Sequence, residues 1–454
     1  MLWEKIRENM MKNPHKKIWE NGVCLTYEEM LVWAESLAKK ITAPCCAVLC
    51  RSELSAAAAL LACFAADVTA VPMSYRYGEE NLRKILELVH PPCILTDADG
   101  TLAVTDTDTG EYEAPAEEPA LIMCTSGTTG TPKGVMLSRQ NILSNLADIL
   151  RYFPLCGEDR VLIARPLYHC AVLSGEFLAA LCRGADICFY SGEFNPLYLL
   201  QRIRKYRITV MGGTPTLFHL MGYYIKNKET VACLKKLVIS GECLSQSTAQ
   251  RIREIYLGAE IYHVYGLTEA SPRVAFLAPE LFDEVPQKLS APLASVELKI
   301  AGPDGREVPA GEHGELLVRG PNVMQGYYKN EPLTRKALAG GWLHTGDIAV
   351  RDGRGRIEIC GRKDDMIIRA GVNIYPAEIE RALMKDPRTE QVLAYGVAGR
   401  DRITRIAVKI KGRFLEEEEV HAMCRELLPE YLRPGLVELV KDFERSGSGK
   451  LVRK

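Results

Sequence analysis

The chain has 454 residues, 47% of them hydrophobic and 25% charged, and its 57 Lys+Arg nearly balance 58 Asp+Glu for a net charge of -1. That length suits two or three domains with large cores, the balance excludes extensive disorder, and no basic field exists to hold nucleic acid. The longest apolar run, Ala56 to Ala66, is too short to span a bilayer, the first residues lack a signal-peptide core, and 15 cysteines without a C-x-x-C pair suggest reduced, buried thiols in a cytoplasmic protein.

In chain order, the first ~45 residues predict helices and a short strand, with Thr26 and Glu29 forming a capping box at a helix start. A short strand at 47–50, a helix at 55–66, a strand at 70–72, a helix at 81–89 and a strand at 93–96 follow. This alternation predicts a mostly parallel α/β sheet. It recurs with strands at 160–164, 187–190, 209–211, 237–240 and 260–263, separated by helices at 177–182, 196–205 and 245–256. Two doubly wound α/β sheets are expected. After about Lys288 the texture changes to hairpins, with turns at 303–305 and 309–311 joining strands 296–300 and 314–319. A second hairpin pairs 346–350 with 356–360. The residues after Gly361 predict a small α+β unit: helix 377–384, strands 392–397 and 406–410, helix 416–428.

One segment carries chemistry on its face. A strand over Leu121 to Thr125 runs into Ser126, Gly127, Thr128, Thr129, Gly130, Thr131, Pro132, Lys133 and Gly134. Such a loop offers backbone N–H groups, hydroxyls and one ammonium to an anion. The plainer reading is a flexible Gly/Thr turn. It is not a P-loop, because Pro132 and Gly134 stand where that motif needs Gly and Ser or Thr.

Here the chain resembles the adenylate-forming superfamily of acyl-CoA synthetases, peptide-synthetase adenylation domains and luciferases. The stretch Thr125 to Gly134 is similar to its signature loop. Pro166-Leu-Tyr-His169, Ser240-Gly-Glu-Cys-Leu244, Tyr265-Gly-Leu-Thr-Glu269, Gly341-Trp-Leu-His-Thr-Gly-Asp347, Gly361-Arg-Lys-Asp-Asp365 and Ser446-Gly-Ser-Gly-Lys450 follow in the family's order. The resemblance implies a large N-terminal adenylate-forming domain over 1–361, made of two α/β sheets and a small antiparallel β subdomain. A small mobile α+β domain would occupy 362–454.

It also implies a reaction. ATP activates a carboxylic acid to an acyl-adenylate, and a thiol then displaces AMP. Bringing an anion onto an anionic phosphorus makes positioning and charge neutralisation the main tasks. By resemblance, Thr125, Ser126, Gly127, Thr128, Thr129, Gly130 and Lys133 would hold the β- and γ-phosphates. Thr268 would bond the α-phosphate and Glu269 would ligate Mg²⁺. Tyr265 and Gly266 would border the nucleotide, Asp347 would accept the ribose hydroxyls, and Arg362 would add a donor there. Lys450 would catalyse adenylation, and Asp364 would be the hinge about which the small domain turns. Taken singly, Glu269 could be a helix-end carboxylate, Asp347 a turn former, and Arg362 and Lys450 solvated charges; the ordered set favours the functional reading.

The stretch Ile367 to Glu380 is similar to acyl-CoA synthetases, with Gly371 placed for a pantetheine arm. This implies CoA as thiol acceptor. The alternative is a stand-alone enzyme that loads the phosphopantetheine of a carrier protein; a non-catalytic AMP-binding regulator is a third reading. The acyl pocket is expected among His169, Gly213, Gly241 and Tyr265, with Cys170, Val172, Met211, Thr214 and Leu267 nearby. None of these is charged, which implies a preference for an uncharged acyl or aryl acid over an α-amino acid. Glu176 and Glu242 are the two acidic exceptions.

Overall fold

The computed structural model describes residues 2–98, 101–126, 132–192, 194–369, 372–398 and 404–444. The expected N-terminal pair of doubly wound sheets is present. A nine-stranded sheet has six neighbouring parallel strands in the order Glu260–Gly266, Lys236–Ile239, Val210–Gly213, Arg160–Ile163, Asp186–Phe189, Lys17–Glu20. A seven-stranded sheet centres on the parallel strands Leu121–Ser126, Thr69–Pro72, Cys45–Leu49 and Cys93–Ala98. Antiparallel strands close the edges of both.

Burial explains why these strands read as apolar runs rather than alternations. In Cys45–Leu49 every residue is buried. Cys46 and Val48 pack into the layer between the two sheets, while Cys45, Ala47 and Leu49 pack under the outer helix Glu79–Val89. Val161, Ile163, Val238 and Val264 likewise face the shared layer, and Leu162, Leu237 and Ile239 face the outer helices Pro196–Tyr206, Pro215–Tyr224 and Gln246–Ile255. Sheets covered on both faces need this two-sided apolarity. The Ala-rich helix Glu53–Ala65 is buried almost all round because it lies in the shared layer. Most of the fifteen cysteines are buried free thiols, as expected.

The capping box forms: the Thr26 side chain accepts from Glu29 N, and Glu29 in return accepts from the Thr26 backbone. Such a cap is worth about 1 kcal/mol. Several elements go beyond those expected. Lys17–Glu20 and Val23–Thr26 form a hairpin that joins the nine-stranded sheet beside Asp186–Phe189. Helix Arg139–Tyr152 starts on a Ser138/Asn141 box in which Asn replaces the usual Glu or Gln. Helix Pro215–Tyr224 starts on Thr214.

The hairpin region forms a five-stranded antiparallel sheet, with Glu297–Ala301 paired to His313–Arg319 and Leu343–Arg351 paired to Ile357–Arg362. The C-terminal unit packs Pro376–Leu383 and Glu417–Leu427 on the sheet Thr389–Ala398, Thr404–Gly412, Leu436–Leu439. Ile367 belongs to this last core. Arg362, by contrast, closes the five-stranded sheet, so the change of core falls at the exposed turn Lys363–Asp365. No helix of the described residues is long and apolar enough to cross a membrane.

Candidate active site

Four neighbouring parallel strands end on one side of the nine-stranded sheet, and the motif residues follow directly from those ends. Arg160–Ile163 leads to His169, Val210–Gly213 to Thr214, Lys236–Ile239 to Gly241, and Glu260–Gly266 to Thr268 and Glu269. The crevice outside the carboxyl ends of such strands is where α/β sheets bind ligands. Gly266 is compulsory at this point: a side-chain carbon there would lie 1.9 Å from the Pro272 carbonyl oxygen.

A row of polar side chains leads away from these strand ends. The Tyr265 hydroxyl donates to Asp347 Oδ2 at 2.5 Å. Arg362 donates to Asp347 Oδ1 at 3.0 Å and to the Thr345 carbonyl at 2.9 Å. Asp347 is buried, whereas the Arg362 side chain is about half exposed (48%), so their ion pair is partly screened. The Tyr327 hydroxyl donates to Glu269 Oε1 at 2.8 Å. Lys133 Nζ stands 5.8 Å from the Tyr327 ring centre. Burial, reinforced by the neighbouring carboxylates, pushes the Tyr265 and Tyr327 hydroxyls well above their ordinary values, so both remain donors.

Local pairing explains these placements. Lys133 lies opposite Thr125 in the antiparallel hairpin Leu121–Ser126/Pro132–Leu137. Tyr327 lies in the two-residue strand Gly326–Tyr327, opposite Val135 of the same hairpin. Glu269 is held in the turn Thr268–Ala270, whose carbonyl at 269 accepts from Met324 N at 2.9 Å. The structure therefore brings Lys133, Glu269, Tyr265, Asp347 and Arg362 together from four separate motifs. Tyr327 joins them without having been anticipated; its only sequence signal is the Gly-Tyr-Tyr run after Gln325.

The acyl-pocket candidates divide. His169 is half-buried and precedes the helical segment from Cys170 to Arg183, with its ring 4.1 Å from that of Tyr168. Burial pushes the Cys170 thiol up to about 12. Met211 packs into the outer core rather than toward the strand-end crevice. Gly213 backs onto Phe218 and Leu217 of the outer helix, and it is Gly212 that faces Glu176. Glu242 accepts from the Thr216 backbone and hydroxyl at 3.2 and 2.6 Å, at the start of helix Pro215–Tyr224. Glu176, one of the two acidic exceptions, accepts at 2.6 Å from Arg165, a charged residue that was not among the candidates. Gly127, Thr128, Thr129, Gly130, Gly371 and Lys450, and the side chain of Ser126, lie outside the described residues.

Fold and site define a nucleotide-handling α/β enzyme with a small C-terminal unit, and comparison with known proteins narrows the class. The sequence model for AMP-binding enzymes matches residues 6–328, and that for the AMP-binding enzyme C-terminal domain matches 378–450. The chain belongs to the AMP-binding enzyme family. It is 31% identical over 416 residues to a feruloyl-CoA synthase from an Amycolatopsis species, covering 87% of this chain and 84% of that protein. It is 35% identical over 350 residues to a long-chain-fatty-acid–CoA ligase of Escherichia coli O6:H1, covering 74% and 61%. Among solved structures, o-succinylbenzoate coenzyme A synthetase from Bacillus subtilis, in complex with ATP and magnesium ion, superposes with a TM-score of 0.86 at 25% identity, covering 99% and 98% of the two chains.

Proposed function

We propose that the protein is an AMP-forming acid–CoA ligase: it activates a carboxylic acid with ATP to an acyl-adenylate and passes the acyl group to the thiol of CoA. The observation that supports this most is the row Lys133, Tyr327, Glu269, Tyr265, Asp347, Arg362, which sets cations and acceptors in the order a nucleotide triphosphate needs. The likeness to a feruloyl-CoA synthase and to a long-chain-fatty-acid–CoA ligase favours CoA over a carrier protein as acceptor.

Asp347 suits the ribose. Tyr265 and Arg362 each use one of its oxygens, and a carboxylate has about four lone-pair positions, so acceptor capacity remains for two hydroxyls. Glu269 suits a divalent cation, since Tyr327 engages only Oε1 and hard cations take carboxylate oxygen. Magnesium, when bound there, supplies charge that offsets the phosphate oxygens. Lys133 offers an ammonium at the pyrophosphate end; the backbone donors of the loop before it rest on the motif match alone. Thr268 follows the same strand end and donates toward the α-phosphate. With the charges offset, the substrate carboxylate oxygen attacks the α-phosphorus and pyrophosphate leaves. The CoA sulfur then attacks the acyl carbon and AMP leaves.

The division into 1–361 and 362–454, with Asp364 as hinge, fits the change of core at Lys363–Asp365. The contacts across it mix polar and apolar groups: Ser247 Oγ donates to the Met384 carbonyl at 3.0 Å, Arg381 pairs with Glu358, the His313 and Tyr375 rings stack at 5.1 Å, and Tyr375 packs with Ile348 and Cys360. Interfaces of this kind permit domain rotation. Lys450 as adenylation catalyst and Gly371 as pantetheine neighbour rest on the motif match. The test is acid-dependent exchange of pyrophosphate into ATP over a carboxylate panel, followed by thiol acceptance from CoA and from a holo carrier protein. Exchange with transfer to CoA is expected. Exchange with transfer to the carrier alone would favour carrier loading, and no acid-dependent exchange would overturn the reading.

A further inference from the structure

Two residues past the strand Arg160–Ile163, Arg165 reaches over the strand ends into the same crevice. Its Nη2 donates to Glu176 Oε1 at 2.6 Å and lies 3.5 Å from Ser240 Oγ. The Glu176 side chain is only 4% exposed and that of Arg165 16%. Glu176 is pressed against bare backbone: a side-chain carbon on Gly212 would lie 2.5 Å from its Oε1. Arg165 Nη1 would lie 3.8 Å from a side-chain carbon on Gly241, beside the Thr214 methyl. The two charges thus occupy the space between Gly212, Gly241 and Thr214, where the acyl group is expected.

The pair is incomplete. Arg165 Nε and Glu176 Oε2 are both enclosed, and neither has a hydrogen-bond partner. An orphaned buried polar atom costs about 1–3 kcal/mol, and native structures leave few of them. An ion pair serving packing alone would be better replaced by apolar side chains. The two atoms offer a definite chemistry: one donor and one acceptor, on groups whose formal charges cancel. A second carboxylate would meet Glu176 and be repelled. A hydrocarbon end would leave both atoms orphaned. A hydroxyl accepts from the guanidinium and donates to the carboxylate with one oxygen.

We propose that Arg165 and Glu176 form the distal specificity site of the acyl pocket and select acids that carry a neutral hydroxyl far from the reacting carboxylate. This rests on the acid-activating function proposed above and deepens it. A site built to bond a hydroxyl discriminates strongly against the analogue that lacks it.

The test measures kcat/KM for pyrophosphate exchange on matched acids: 4-hydroxyphenylpropanoate against phenylpropanoate, and 6-hydroxyhexanoate against hexanoate and hexanedioate. It uses the full-length protein and two variants. R165M alone leaves Glu176 buried and unpaired and threatens folding, so the double variant R165M/E176L, which removes both charges, carries the comparison, with circular dichroism confirming its fold. The parent should prefer the hydroxylated member of at least one pair by roughly ten-fold or more and reject the dicarboxylate. In the double variant that ratio should fall to near one. A parent that prefers the plain or dicarboxylic acid, or a ratio unchanged in the double variant, would overturn the proposal and leave the pair as a water-filled structural bridge. Exchange with no acid at all would instead sink the functional reading beneath it.

Discussion

The Tyr265 hydroxyl, at the end of a parallel strand of the nine-stranded sheet, donates to Asp347 of the five-stranded sheet at 2.5 Å. That single bond couples the strand-end crevice to the carboxylate assigned to the ribose. Tyr265→Phe keeps the ring and removes only the donor. It should raise KM for ATP by roughly ten-fold, the equivalent of ~1.4 kcal/mol, with a smaller change in KM for the acid. Steady-state kinetics in both substrates decides it; a KM for ATP within two-fold of the parent would show that Asp347 does not need this partner.

Tyr327→Phe should act on the metal rather than on the nucleoside. Without the donor at Oε1, Glu269 loses a hydrogen bond that orients its carboxylate. The half-saturating Mg²⁺ concentration for exchange should rise by about 2–10-fold, as expected for one hydrogen bond of ~0.5–1.5 kcal/mol. A magnesium titration at fixed ATP measures this, and an unchanged midpoint would separate Tyr327 from the metal site.

Glu53 predicts a pH dependence of stability. It is the first residue of helix Glu53–Ala65, is partly buried, and accepts from Leu167 N at 2.9 Å, just ahead of His169. Burial, with Glu20 adding repulsion against the Leu167 N–H and Arg76, raises its carboxyl to about 7 from an ordinary 4.5. The unfolded chain ionises this group at lower pH than the folded one. The folded state is therefore favoured below about 4.5 and loses that advantage as pH rises through about 7, a cost of ~3 kcal/mol by pH 8. Glu53→Gln keeps an acceptor for Leu167 N and cannot ionise. The melting temperature of the variant relative to the parent should rise between pH 5 and pH 8; a flat difference would mean that Glu53 does not titrate in this range.

Asp364→Pro and Lys450→Ala should split the reaction in opposite ways. Proline at the exposed turn Lys363–Asp365 fixes φ and restricts the residue before it. Acyl-adenylate formation should survive while transfer to CoA slows. Loss of the Lys450 ammonium should nearly abolish adenylation and spare thioester formation from supplied acyl-AMP. Measuring the two half-reactions separately checks both, and equal losses in each, with the fold intact, would contradict the assigned roles.

The sequence carried the parts of the site whose chemistry is written in contiguous residues. Lys133, Tyr265, Glu269, Asp347 and Arg362 each sit in a short motif, and the structure brings them together. The buried strands were readable because both faces are covered, so apolar runs stood out. Tyr327 was not readable: it reaches Glu269 through the pairing of a two-residue strand with the Pro132–Leu137 strand, a long-range register that no local pattern encodes. Arg165 was missed for a similar reason. It looks like any charge before a proline until the fold sets it against Glu176, Gly212 and Gly241. Helix Arg139–Tyr152 escaped because its polar start, Arg139-Gln-Asn141, hides a box closed by Asn141.

The central claim, acid activation through an adenylate followed by transfer to CoA, is tested most directly by a single-turnover experiment read by mass spectrometry. The protein is mixed with ATP, Mg²⁺ and a hydroxylated arylalkanoic acid, quenched before and after CoA is added. Acyl-AMP and pyrophosphate should accumulate first, and on addition of CoA the adenylate should disappear as AMP and acyl-CoA form in equal amounts. ADP and phosphate in place of AMP and pyrophosphate, or acyl-CoA formed with no adenylate preceding it, would contradict the account.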